Sequence, residues 1–175
     1  QDDDGETPLH LADNAEMILL LVKEGNANPN IPNVDGICAL HLAVQRRDVD
    51  SVRALVMNNA NVNNADNIRW FTALHLIALP AKTGVDDCND PEKRDRIARL
   101  LTGEFGQTKP DLNYQDSEGN SPLHYAVQLE TEDACDLVNV FLEKNADPNL
   151  RNMRDQVPLH LLCHNAGLRS RKNFP

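Results

Sequence analysis

The chain has 175 residues, with seventeen Lys and Arg against twenty-seven Asp and Glu, giving a formal charge of −10. Such an acidic chain is repelled by nucleic-acid phosphates and by anionic membrane surfaces, so neither is the expected main partner. One Trp, two Tyr and four Phe leave Leu, Val, Ile and Ala to fill the interior, a composition that leans towards helices. At this length one domain buries roughly 70 % of its unfolded surface without disulfide staples.

In chain order, the first predicted element opens at Thr7-Pro8 and reads TPLHLA. A hydroxyl residue followed by Pro is a helix start, because the side chain caps free amides and the ring fixes φ for the first turn. The string returns as CALHLA from Cys38, TALHLI from Thr72, SPLHYA from Ser121 and VPLHLL from Val157. Its histidines, His10, His41, His75, His124 and His160, are 31, 34, 49 and 36 residues apart. That defines a unit of about 33 residues with one large insertion. After each first helix a second is predicted from apolar spacing: Val49, Val52 and Val56; Ile97, Leu100 and Leu101; Leu137, Val138, Phe141 and Leu142. Each unit then closes on an Asn, at Asn30, Asn63, Asn113 and Asn149, and the step to the next histidine is 11, 12, 11 and 11 residues. Turn-forming links such as Asn33-Val34-Asp35-Gly36 and Asp116-Ser117-Glu118-Gly119 separate the units. Each helical pair has one apolar stripe too small to form a core alone, so neighbours must stack to bury it.

Three units depart from this pattern. The first is short between Leu11 and Met17, which predicts a tight turn at Asp13 and Asn14 and reads as a trimmed cap. The third carries LPAKTGVDDCND, residues 79 to 90, where a tight turn is otherwise found, and a helix restarts at Asp90-Pro91. The fifth has only its first helix before the chain ends, which reads as a segment cut from a longer protein.

The in-phase Leu-His strings and the Ala/Asp-x-Asn signals resemble the ankyrin repeat family over essentially the whole chain. The resemblance implies an all-α solenoid of about five helix-turn-helix repeats with projecting β-hairpin loops. The repeats fall at about 3-32, 33-65, 66-115, 116-151 and 152-175, in one domain spanning 1-175, with a long insertion in the third. It also implies that the repeated histidine is structural, bonding backbone in the neighbouring hairpin.

No catalytic, cofactor-binding or metal site is expected. The histidines lie one repeat apart, too far to share an ion. His160, Cys163 and His164 fall within one helical turn but lack a fourth ligand, and Asp86, Asp87 and Asp90 read as a solvated acidic cluster. No phosphate-loop, nucleophile-elbow or zinc-protease motif is present. Cys38, Cys88, Cys135 and Cys163 form no CxxC pair, and no run approaches the ~20 apolar residues needed to cross a bilayer. QDDDGETP lacks the basic flank and apolar run of a signal peptide, so no membrane insertion is expected and the location is intracellular, cytoplasmic or nuclear.

The expected function is noncatalytic protein recognition through hairpin loops and a concave groove, by a monomer meeting a segment or domain with a basic or mixed surface. Ile68, Trp70 and Phe71 stand where the family keeps Gly and small polar residues, which marks Trp70 and Phe71 as interface anchors. By alignment with the family's contact positions, the footprint begins with Val34, Asp35, Ile37, Gln45 and Arg46. It continues through Arg69, Trp70, Phe71, Ser117, Glu118, Asn120 and Gln128, and ends at Met153, Arg154 and Gln156. Within that class the chain reads as a regulator, a scaffold or a targeting arm. Three alternatives stay open: an effector of an intracellular bacterium acting in the host cytosol, the targeting domain of an enzyme whose catalytic domain lies outside this segment, and an inhibitor-type regulator of a transcription factor.

Overall fold

The computed structural model describes residues 1–79, 90–104, 109–129 and 133–162. The described helices are α1 (Pro8–Leu11), α2 (Ala15–Lys23), α3 (Ala39–Gln45), α4 (Val49–Met57), α5 (Ala73–Ile77), α6 (Pro91–Arg99), α7 (Pro122–Ala126) and α8 (Asp133–Glu143). A last helical run covers 158–162. They form two layers. Helices α1, α3, α5 and α7 follow one another in one layer, and α2, α4, α6 and α8 in the other, so contacts run between neighbours in single file. The expected all-α solenoid is what the chain forms.

Local chemistry sets the helix limits. Asn14 caps α2 by accepting the Met17 amide at 2.8 Å, at the tight turn expected there. Asp48 caps α4 through the amides of Asp50 and Ser51, and Asp90 caps α6 through the Glu92 amide, with Pro91 in its first turn. After Arg99 the chain widens into a π-helical turn, Leu100–Glu104, that ends where Gly103 takes φ 97°. At the end of α5 the buried Arg47 side chain reaches across from the preceding repeat to the carbonyls of Leu76, Ile77 and Leu79. The Leu76 carbonyl also takes the Leu79 amide, and a cation at this helix end adds a donor to these carbonyls and meets their partial charge.

Burial follows the predicted stripes. Val49, Val52 and Val56, then Ile97, Leu100 and Leu101, then Leu137 and Phe141 join one continuous core with the Leu of each Leu-His pair up to Leu123. Leu142, expected in the same stripe, is 42 % exposed. It lies one residue past Phe141, about 100° further round the helix.

Between the pairs project five hairpin turns, each closed by a backbone bond: Asp2–Glu6, Asn33–Ile37, Asp66–Phe71, Asp116–Asn120 and Asn152–Gln156. Among the described residues these are turns rather than strands, with one isolated bridge, Ala65 to Thr72. Gly36 shows why glycine is needed here: φ is 78°, and a Cβ would stand 2.7 Å from the Asn67 amide nitrogen of the next hairpin. Gly36→Ala is therefore expected to lower stability by about 1–3 kcal/mol in chemical denaturation. A variant as stable as the parent contradicts the close approach.

Candidate partner-binding surface

The hairpins are held to one another, so their tips form a continuous edge. The amides of Val34, Asn67, Ser117 and Met153 donate to the carbonyls of Asp4, Asp35, Arg69 and Glu118 in the preceding hairpin, at 2.8–3.0 Å. The repeated histidines provide a second line. In each, Nδ1 accepts the amide of the residue three earlier (Thr7, Cys38, Thr72, Ser121), which leaves the proton on Nε2. Nε2–H then donates to the next hairpin: His10 to the Ile37 carbonyl at 2.8 Å, His41 to Asn64 at 2.9 Å, His75 to Asn120 at 3.1 Å and His124 to Gln156 at 3.0 Å. The His41 acceptor lies further back from its repeat's histidine than the others do, and the hairpin there is one residue longer. Burial lowers the imidazole pKa of His41 and His124, and takes that of His75 down to about 4. Neutral rings are what a donor-acceptor bridge requires.

The closing Asn residues form a third line. The Asn30 side chain accepts the Asn61 amide at 2.7 Å and donates to the Asn59 carbonyl at 2.9 Å. Asn63 does the same with the Asp111 amide and the Lys109 carbonyl, and Asn113 accepts the Asp147 amide.

On this frame the third hairpin differs from the rest. Trp70 occupies the position of Gly36 and Gly119 and adopts their left-handed backbone, φ 60°. The Asp66 carboxylate fixes the turn by accepting the amides of Ile68, Arg69 and Trp70 at 2.9, 2.6 and 3.1 Å. Ile68 (64 % exposed) and Trp70 (51 %) stand outward, as do Val34 (63 %) one hairpin earlier and Met153 (75 %) on the fifth. Four large apolar side chains thus line the tips of a rigid edge. Asp35, Arg69, Ser117, Glu118 and Arg154 are exposed among them, and Arg154 approaches Glu118 across neighbouring hairpins at 3.5 Å.

Two footprint residues are inside instead, a correction to the sequence reading. Phe71 is buried, stacked on His75 with ring centroids 5.4 Å apart and meeting Tyr125 edge-on at 5.5 Å. Phe71 stands four residues before His75, the place of Ile37, Asn120 and Gln156, all buried or half-buried, while Trp70 stays out. Asn120 is also buried: its amide goes to Asp116, its carbonyl takes His75, and its side chain accepts from Asn152 at 2.8 Å. Ile37, Gln45, Arg46 and Gln156 are half-buried, with Arg46 donating to the Ala12 carbonyl, whereas Gln128 is exposed. Sequence reasoning passed over Leu11, 69 % exposed on α1. It also passed over a groove of about 480 Å³ between α2 and α4 lined by Ala15, Leu19, Lys23, Arg53, Ala54 and Met57.

The strain at Trp70 yields a prediction. A left-handed backbone costs a bulky residue roughly 1 kcal/mol that glycine does not incur. Trp70→Gly is expected to match or exceed the parent in thermal unfolding, and a fall of several degrees would contradict a surface role for the ring.

Among the described residues no group of three or more His, Cys, Asp or Glu is placed to hold a metal ion, and no helix is long and apolar enough to cross a membrane. Cys163, His164, Asp86 and Asp87 lie outside the described residues.

Comparison with known proteins agrees with the geometry. The family profile described as "Ankyrin repeats (3 copies)" matches residues 1–66 and "Ankyrin repeat" matches 118–153, on either side of the third unit with its insertion. Human NF-kappa-B inhibitor zeta is 29 % identical over 160 residues, covering 91 % of this chain and 20 % of its own length. The Drosophila melanogaster transient receptor potential channel pyrexia is 30 % identical over 145 residues, covering 83 % of this chain and 13 % of its own. The chain therefore spans a fifth or less of these relatives. The crystal structure of the ankyrin repeat protein EF0377 superimposes with a TM-score of 0.76 at 19 % identity, covering 95 % of this chain and 78 % of that one. Ladders of His, Asn and hairpin amides at repeat spacing, with the matching profiles, establish that the chain belongs to the ankyrin repeat family.

Proposed function

We propose that this protein-interaction module captures a protein partner on its hairpin edge, with Trp70 as the anchor and Ile68, Val34 and Met153 beside it. The observation that carries this reading is the exposure of those four apolar side chains on turns held by backbone and carboxylate bonds. A preformed edge loses little conformational freedom on binding, and a large ring on it gains most from being covered. Arg69 and Arg154 beside Asp35 and Glu118 suit a partner of mixed charge, while the charge of −10 favours a basic one. The role is regulatory, scaffolding or targeting.

The test is the affinity of the double variant Trp70→Ala, Ile68→Ser for a partner recovered with the parent domain. A loss of at least roughly tenfold with unchanged helical content is expected, given the energy usual for a central aromatic anchor. Phe71 is left in place, since removing a buried ring would perturb folding rather than the edge. Unchanged affinity would reject this surface.

A second reading is favoured by the similarity, over 91 % of the chain, to proteins named NF-kappa-B inhibitor zeta. Here the domain would restrain a transcription factor by covering a basic segment. Binding that falls by orders of magnitude between low and physiological salt would favour this reading over the apolar edge, because screening weakens charge pairs and spares apolar contact.

A further inference from the structure

The described repeat junctions share a receiving pattern: a hairpin amide to the preceding hairpin at all four, and, at all but the second, where His41 takes Asn64, the carbonyl four residues before the next histidine. At the first junction, the second repeat offers the Val34 amide to the Asp4 carbonyl, the Ile37 carbonyl to His10, and the Asn61 amide to Asn30. In its second helix, α4, Ser51 and Ala54 are buried, and Ala54 shares a groove with Ala15 and Leu19 of α2. The first repeat carries the same set in the same register: the Asp3 amide, the Glu6 carbonyl, the Asn28 amide, and Met17 and Leu20 on α2. The Glu6 carbonyl already takes the Asp2 amide, as Ile37 takes that of Asn33. It keeps the second lone pair that His10 uses at Ile37. Met17 and Leu20, counterparts of the buried Ser51 and Ala54, are 44 % and 55 % exposed. A terminal capping repeat presents polar residues on such a face. This one presents Met and Leu.

We propose that this face is an internal junction, covered by a further helical pair of the same kind belonging to the same polypeptide. Its histidine would donate to Glu6, its hairpin carbonyl would accept from Asp3, its closing Asn would bridge to Asn28, and its second helix would cover Met17 and Leu20. The spacing makes this definite. Steps of 11 or 12 residues from closing Asn to histidine place that Asn at the second or third residue ahead of Gln1, preceded by an apolar helix and, about one unit before His10, a Leu-His pair.

The experiment is to determine the polypeptide sequence ahead of Gln1, from the message and by mass spectrometry of the protein isolated from its source, and then to compare Leu20→Lys in the longer protein and in the 175-residue chain. The proposal expects the Asn at that position. It also expects Leu20→Lys to lower the unfolding midpoint by roughly 5 °C or more in the longer protein and by about 1 °C or less in the shorter one. A polypeptide without that repeat, or equal effects of Leu20→Lys in the two proteins, would overturn it. So would concentration-dependent self-association of the 175-residue chain that Leu20→Lys abolishes, which would assign the face to a second copy.

Discussion

Replacing His75 by Ala is expected to remove about 3–5 kcal/mol of stability, read as a shift in the urea midpoint at constant slope. The ring is fully buried, receives the Thr72 amide on Nδ1, donates from Nε2 to the Asn120 carbonyl, and stacks on Phe71. Alanine leaves the Thr72 amide without a partner in a dry site, at a cost of roughly 1–3 kcal/mol, removes one of the two donors to the Asn120 carbonyl, which keeps the Asp116 amide, and opens a cavity beneath Phe71. For a domain with a total stability of about 5–15 kcal/mol this is a large fraction. His160 is the internal control. It makes the same local bond, from the Val157 amide, but is exposed. His160→Ala is expected to cost less than about 0.5 kcal/mol, as surface substitutions usually do. Equal costs at the two positions would contradict the role assigned to the inter-repeat bridge.

The second large effect is with pH. Burial lowers the pKa of His41 and His124 and takes that of His75 to about 4, whereas an unfolded histidine titrates near 6.5. Between those values the unfolded chain binds protons that the native state does not, so stability rises with pH across this window and is lost as pH falls from about 6.5 towards 4. His75 alone accounts for about 3 kcal/mol at the acid end, since each pKa unit is worth about 1.4 kcal/mol. Protonation also sets an N–H on Nδ1 against the Thr72 amide, which removes the bond that starts α5. At the alkaline end Tyr125, half-buried and donating to the Asp116 carboxylate at 2.6 Å, has a raised pKa. Unfolded tyrosine loses its proton first there, and stability falls above pH 10. Urea titrations at a series of pH values check both limbs, and a midpoint that is flat from pH 7 to 4.5 would contradict the neutral-histidine bridges.

Much of this architecture is legible in the sequence because the repeat constrains it several times over. Thr7-Pro8 and Ser121-Pro122 mark helix starts, the spacing of the Leu-His strings fixes the units, and the constant step from closing Asn to histidine reflects two ladders that share one register. The recognition edge is less legible. Trp70 and Phe71 are adjacent and chemically alike, yet one is half-exposed and the other buried. What separates them is position in the turn: Trp70 takes the left-handed place shared with Gly36, Gly119 and the exposed Asp155, and Phe71 the following place, where Ile37, Asn120 and Gln156 are buried or half-buried. Asn120 looks like a free turn residue in the string, but besides Asp116 of its own turn it is held by His75 and Asn152 from the neighbouring repeats. Arg47 gives no sequence signal, because its partners are backbone carbonyls of the next repeat. Leu142 follows the apolar pattern and still faces water, since a stripe read in steps of three and four does not say where the neighbouring helix stops.

The capture of a partner on the hairpin edge can be observed directly, because Trp70 is the chain's one tryptophan and its emission reports on the proposed anchor alone. Titrating the domain with a tryptophan-free segment of its partner is expected to shift that emission to shorter wavelength and to shield the ring from acrylamide, as the half-exposed indole leaves water. Emission and quenching that stay constant while the segment binds to saturation would place the partner elsewhere and contradict the account.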